Sequence, residues 1–263
     1  MDYIKNNKAA WEEGFENRKP CWGDENHIKL KEERLAFFHD DMKQELEQID
    51  FSGKSVAQFC CNNGRELLSL MDLNVSRAVG FDIAENIITQ ARDTAEKAGI
   101  SNCEFVSCNV LEIPESYHNQ FDVIILTVGA ICWFEDLKPF FEKASKCLKD
   151  NGLLIMNEIH PFENMLPVPG EDEFDPNNLD RLAYSYFRSE PWLQNDGMNY
   201  MSREYKSKTF TSFSHTLSCI INSLSANGMK TIKFNEYDYD IGISEVYDGM
   251  GCPLSFILMA QKG

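Results

Sequence analysis

No apolar run in this 263-residue sequence can cross a bilayer; the longest, residues 123–134, falls well short of the ~20 residues a spanning helix needs. Basic residues are also scarce. There are 25 Lys and Arg against 42 Asp and Glu, a formal net charge of −17, and this argues against a nucleic-acid or anionic-membrane surface, both of which need clustered cations. The stretch MDYIKNNKAAWEEGFENRK is charged throughout and holds no secretory apolar segment. No CxxC pair occurs among the nine cysteines, and neither Cys60-Cys61 nor Cys103 with Cys108 offers convergent tetrahedral ligands. The expectation is therefore buried, reduced thiols in a cytoplasmic protein, with no bound metal.

What is present is ordinary globular composition, 43% hydrophobic and 25% charged, enough for a full core in one large domain. Residues 1–50 read as a helical cap, with a short helix at 9–15, a turn at 20–24 and a long helix over 30–49 carrying Leu35, Phe38, Met42, Leu46 and Ile49 at helical spacing. From residue 55 apolar runs and amphipathic runs alternate. Strands are expected at 55–60, 77–81, 103–108, 121–127 and 153–159, and helices at 64–72, 84–98 and 136–148. Five βα steps in series imply an α/β fold, an open parallel sheet with right-handed crossovers. Residues 160–213, with Pro161, Pro167, Pro169, Pro176 and Pro191, break the rhythm and read as a lid insertion, with antiparallel strands expected after Asn199. A helix at 216–226 and strands at 229–237 and 254–260 close the sheet, giving a main domain over 51–263.

The chemistry starts at residues 56–66, VAQFCCNNGRE. Strand, tight turn and helix is the shape that cradles a nucleotide, but a dinucleotide loop needs glycines for close approach to a pyrophosphate. Here those positions are Cys60, Asn62 and Gly64. Asn enters left-handed conformations readily and Cys is small, so the turn can form around a ligand without phosphate. Asp82, eighteen residues past Gly64 at the end of the second strand, can accept from both hydroxyls of a ribose; it can equally cap the helix that follows. Asn109-Val110 can read and pack an adenine, or form an ordinary turn.

Ribose and adenine without phosphate point to S-adenosylmethionine. From about residue 55 to 162 and again from 215 the chain resembles the class I, Rossmann-like, S-adenosylmethionine-dependent methyltransferases. The resemblance is carried by the loop ending in Gly64, by "GFD", "NVLEIP" and "FDVIILTVGAICWFEDL", and by "CLKDNGLLIMNE". "FCCNNGRE" and "EIHPF" resemble a small-molecule subgroup with a Q-C-N-x-G-R type loop. The resemblance implies a mostly parallel seven-stranded sheet with helices on both faces. It also implies a cofactor site of Phe59, Cys60, Cys61, Asn62, Gly64, Asp82, Ile83, Asn109, Val110 and Thr127. Gln58, Cys60, Asn62 and Asn109 depart from the family pattern; an acidic residue at position 58 usually helps hold the cofactor's amino group.

Methyl transfer needs alignment and dryness, and a base only when the nucleophile must lose a proton. Glu158 and His160 follow the fifth strand and are the catalytic candidates; alternatively Glu158 orders a loop and His160 packs beside Pro161. Trp22, Trp133, Tyr184, Tyr186 and His215 are candidate substrate contacts, with Trp192 beside them in the lid; each can instead be packing. The expected function is methylation of a small molecule, by a monomer or homodimer with neither nucleic-acid nor membrane partner. The alternatives are a SAM-binding regulator or scaffold without transferase activity, and a nicotinamide-dependent oxidoreductase, which the missing G-x-G-x-x-G disfavours.

Overall fold

Strands and helices alternate from residue 55 as the apolar periodicity predicts. The computed structural model describes residues 3–263, so the first two residues of the 1–50 cap lie outside the described residues. The chain enters through α1 (Tyr3–Glu16), α2 (Asn26–Glu32) and α3 (Asp40–Glu47). Then come β1 (Ser55–Phe59), α4 (Arg65–Ser69), β2 (Arg77–Asp82), α5 (Glu85–Ala98), β3 (Cys103–Ser107), β4 (Phe121–Thr127), α6 (Leu137–Cys147) and β5 (Leu148–Ile159). After the insertion's short strands β6 (Trp192–Gln194) and β7 (Phe210–Ser212), α7 (Leu217–Ala226), β8 (Met229–Tyr237) and β9 (Ser255–Lys262) complete the fold.

Seven strands form one sheet in the order β3-β2-β1-β4-β5-β9-β8. The strands β1 to β5 are parallel, and β9 runs antiparallel to both its neighbours. Successive side chains point to opposite faces, so Val56 and Ala57 on β1 enter different cores. One core packs Phe59, Phe81 and Phe121 under α6 and α7; the other packs Val56, Ala78 and Ile125 under α3, α4 and α5. Burial on both faces is why these strands read as unbroken apolar runs. The strand order reverses between β1 and β4, and the crevice outside their carboxyl ends is where open α/β sheets bind ligands.

Two local expectations are corrected. The helix expected over residues 30–49 is two helices, α2 and α3, broken at residues 33–39. Leu35 takes a left-handed φ of 51°, and its N–H donates to Asp72 Oδ2 at 2.9 Å. Leu35, Phe38, Met42 and Leu46 all reach one core, so their spacing recorded burial rather than a continuous helix; tertiary contacts overrode local propensity. The strands expected after Asn199 reduce to β7 alone, paired antiparallel with β6.

The insertion and α1 close over the sheet's carboxyl edge together. The buried Asn7 side chain donates to the Thr211 carbonyl (2.8 Å) and accepts from the Thr211 N–H (2.7 Å). Lys19 N–H donates to the Met201 carbonyl at 2.9 Å, and Arg203 N–H to that of Asn17 at 3.2 Å. Among the described residues no helix is long and apolar enough to cross a membrane.

Candidate active site

The loop after β1 is left-handed at alternate positions, with φ of 54° at Cys60, 49° at Asn62 and 71° at Gly64. Asn tolerates this conformation, whereas Cys60 holds it at a cost of about 1–2 kcal/mol. Tertiary bonds enforce the turn. Cys61 N–H donates to the Phe81 carbonyl at 3.0 Å, and Asn62 N–H to Asp82 Oδ2 at 2.8 Å. The parallel pairing of β1 with β2 places the Asp82 carboxylate beside the loop. Its other oxygen accepts from Ala84 N–H at 3.1 Å, at the entry to α5. Asp82 therefore orders the start of the helix and also lines the cavity. Burial raises its carboxyl pKa, opposed by those backbone N–H bonds.

A cavity of about 720 Å³ lies on the carboxyl edge. The loop, β2, the residues after β3 and the turn after β4 form its floor; α1, the insertion and residues 241–243 form its roof. Of the expected cofactor residues it is lined by Cys60, Cys61, Asn62, Asp82, Ile83, Asn109, Val110 and Thr127. Asn109 is also the turn residue of its alternative reading, since its Oδ1 accepts from Leu111 N–H at 3.1 Å. Trp22, Trp133, Trp192, His215 and Glu158 line the cavity as well.

Five expected site residues lie outside the lining, each for a visible reason. Phe59 points into the core, edge-on to Phe81 at 5.7 Å. Gly64 serves the turn itself, since a Cβ there would sit 2.3 Å from Phe105 Cε1. His160 follows the end of β5, where its backbone N–H bonds the Leu254 carbonyl at 2.8 Å. Its ring turns away from the cavity: Nδ1 accepts from Phe162 N–H at 3.0 Å, and Nε2 lies 3.0 Å from Glu236 Oε1. Burial lowers its pKa against the pull of Glu236. Tyr184 is drawn to Glu171 (3.0 Å) and Glu173 (3.2 Å), and the Tyr186 hydroxyl accepts from Leu217 N–H at 3.0 Å.

Glu158 is buried beneath the turn after β4. Its oxygens accept from the N–H groups of Gly129 (2.7 Å), Ala130 (2.8 Å) and Ile131 (3.4 Å). Burial pushes its carboxyl from 4.5 up to about 7, with those backbone bonds working the other way. Because the folded-state pKa is raised, the folded chain holds this proton more tightly than the unfolded one. The stability it contributes is complete below pH 4.5 and lost as pH rises through 7, a span of about 3 kcal/mol. Denaturation of Glu158→Gln across that window should lack this component of the slope. A mutant slope equal to the parent's would place the titration elsewhere.

The sequence reading missed several lining residues. Arg65 and Tyr200 line the cavity, and Asn62 Nδ2 donates to the Tyr200 hydroxyl at 2.8 Å. Arg65 could have been suspected from its place in the first turn after the loop; Tyr200 and Trp11 carry no local signal. Gln58, noticed only as a departure, donates from Nε2 to Thr127 Oγ1 at 2.6 Å. Its Oε1 is buried without a partner and belongs to a residue lining the cavity, so an acceptor is left available to a donor group on a ligand.

Comparison with known proteins follows this geometry. The profile of the family described as "Methyltransferase domain" matches residues 50–200. An uncharacterized protein of Haemophilus influenzae is 24% identical over 182 residues, 66% of this chain and 66% of its own length. The ribosomal protein L11 methyltransferase of Escherichia coli is 36% identical over 59 residues, 22% of this chain and 20% of its own. The chain thus spans less than two thirds of these relatives' lengths. An S-adenosylmethionine-dependent methyltransferase structure from Clostridium acetobutylicum superposes with a TM-score of 0.63 at 11% identity, covering 91% of this chain and 96% of that one. At that identity the likeness speaks for the fold.

Proposed function

The chain belongs to the methyltransferase-domain family of S-adenosylmethionine-dependent enzymes, and on that premise we propose that it methylates a small-molecule acceptor. The observation that carries the proposal is the cavity of about 720 Å³ on the carboxyl edge of the sheet, partly roofed by α1 and the insertion. A site of this size holds a nucleoside cofactor and a compact acceptor. A macromolecular acceptor would have to pass its nucleophile through a roof pinned by Asn7 and Thr211. The name of the L11 methyltransferase indicates a protein acceptor, but the match covers only 22% of this chain.

The residues present fit the cofactor. The unpartnered Gln58 Oε1 can accept from its amino group, which answers the missing acidic residue at that position. Arg65 can meet its carboxylate, Asp82 its ribose, and Asn109 with Val110 its adenine. When bound, the cofactor supplies an electrophilic sulfonium methyl. The protein's part is to align the acceptor and exclude water, and the α1–insertion roof is the means. All nine cysteines are free, as a reducing compartment leaves them, which supports the cytoplasmic part of the proposal.

Calorimetry should give micromolar or tighter binding of S-adenosylhomocysteine and none of NAD. NAD binding more tightly than S-adenosylhomocysteine would sink the proposal.

A further inference from the structure

All four tryptophans of the chain, Trp11, Trp22, Trp133 and Trp192, line this one cavity. Trp11 meets Trp133 edge-on at 5.2 Å, and Trp11 and Trp22 approach the Tyr200 ring at 6.4 and 6.2 Å. Trp192 already carries a cation, with the Arg188 guanidinium 3.8 Å from its ring centre. So much indole surface around one void is a recognition feature, because aromatic faces attract cations.

The charges agree. Among the described residues lining the cavity, Arg65 is the one with a guanidinium or ammonium group; it bonds Glu66 at 2.7 Å, and the reading above assigns its remaining N–H groups to the cofactor's carboxylate. Against it stand the carboxyls of Glu66, Asp82 and Glu158. An acceptor with a carboxylate or phosphate would find no free cation to meet it. The site also holds its candidate bases in other bonds. His215 Nε2 bonds the Phe134 carbonyl at 2.9 Å, while Nδ1 lies 3.9 Å from Cys219 Sγ. Both Glu158 oxygens accept backbone N–H groups, and His160 lies outside the lining. An alcohol or phenol that must lose a proton to attack is therefore poorly served.

A neutral amine needs neither a cation nor a base before attack. We propose that the acceptor is an amine, held against the faces of Trp11, Trp22 and Trp133; this rests on the methyltransferase reading above. The nitrogen lone pair forms the new N–C bond as the methyl's C–S bond breaks with its electron pair going to sulfur. The positive charge passes to nitrogen, where it stays on a quaternary product or leaves as a proton to water. Indole faces and nearby carboxylates stabilise the charge where it develops.

With every tryptophan in the cavity, intrinsic fluorescence reports its occupancy. Protein saturated with S-adenosylhomocysteine is titrated with choline and with 3,3-dimethylbutan-1-ol, the uncharged molecule of the same shape, and then with a panel of aryl and alkyl quaternary ammonium ions. The ammonium probes should bind at least ~10-fold tighter than the neutral isostere. Trp11→Leu should erase the preference and Trp11→Phe retain part of it, with Trp133→Leu as the second variant should Trp11→Leu not fold. Equal affinity for the charged and neutral probes overturns the proposal, as does no binding of any ammonium ion, or transfer to phenols or carboxylates in preference to amines. Failure to bind S-adenosylhomocysteine is a different result, since it removes the methyltransferase reading itself.

Discussion

Alanine at position 64 is expected to cost the fold about 2–5 kcal/mol. Gly64 has a φ of 71°, a conformation that costs a residue with a Cβ about 1–2 kcal/mol. The new Cβ would stand 2.3 and 2.6 Å from Phe105 Cε1 and Cζ, and 3.2 Å from Ala91 Cβ. Phe105 and Ala91 are buried in the core beneath α5, so the ring cannot swing into solvent. Forcing a carbon into a packed core adds about 1–3 kcal/mol. Against a total stability of about 5–15 kcal/mol, a substantial part of the fold's margin is removed. Gly99→Ala is the control: its φ is 78°, but nothing lies within 4 Å of the added carbon, so only the backbone term applies. Urea denaturation of the two variants should differ by the clash. Equal losses would show that Phe105 gives way and that the glycine is needed for its backbone alone.

The contrast between these glycines marks what the sequence could tell. Gly64 was expected as a cofactor contact; it serves the turn instead, and the reason no Cβ fits there, Phe105, lies forty-one residues away and leaves no local trace. Strand β4 was legible to the residue as an apolar run, and β8, of mixed polarity, because Asn227-Gly228 marks its start. The floor of the cavity was legible too, since Cys60, Asn62, Asp82 and Asn109 sit at strand ends in one βα series. The roof was not. It depends on Asn7 meeting Thr211 across 204 residues, and no periodicity encodes such a pairing. His160 was expected to face the cleft because it follows β5, whose end at Ile159 was read correctly; which way the first residue after a strand turns is not set by the strand. Alternation would put it on the same face as Glu158, but β5 ends at Ile159, and the ring turns instead to Phe162 N–H and Glu236. Tyr184 and Tyr186 went astray for a related reason: in a segment without regular structure, the nearest carboxylates and backbone donors decide where a tyrosine points.

Asp82→Ala should weaken S-adenosylhomocysteine binding by about 1.5–3 kcal/mol, roughly 10- to 150-fold, the scale for losing a charged hydrogen-bonding group. It should also lower stability. The Asn62 and Ala84 N–H groups both lose their acceptor, and an unsatisfied buried donor costs about 1–3 kcal/mol. Weaker binding alone therefore does not separate direct contact with a ribose from collapse of the loop that Asp82 holds. The two roles come apart when the ligand is changed as well as the protein. An S-adenosylhomocysteine analogue lacking the ribose hydroxyls should bind the parent more weakly, and Asp82→Ala should then cost it little further affinity, because the contact has already been deleted from the ligand side. If Asp82 acts only by holding Asn62 in its left-handed turn, the mutation should penalise both ligands equally. The coupling measured in this cycle is the ribose contact itself. A value near zero, with stability reduced, would reassign Asp82 to anchoring the loop and the start of α5.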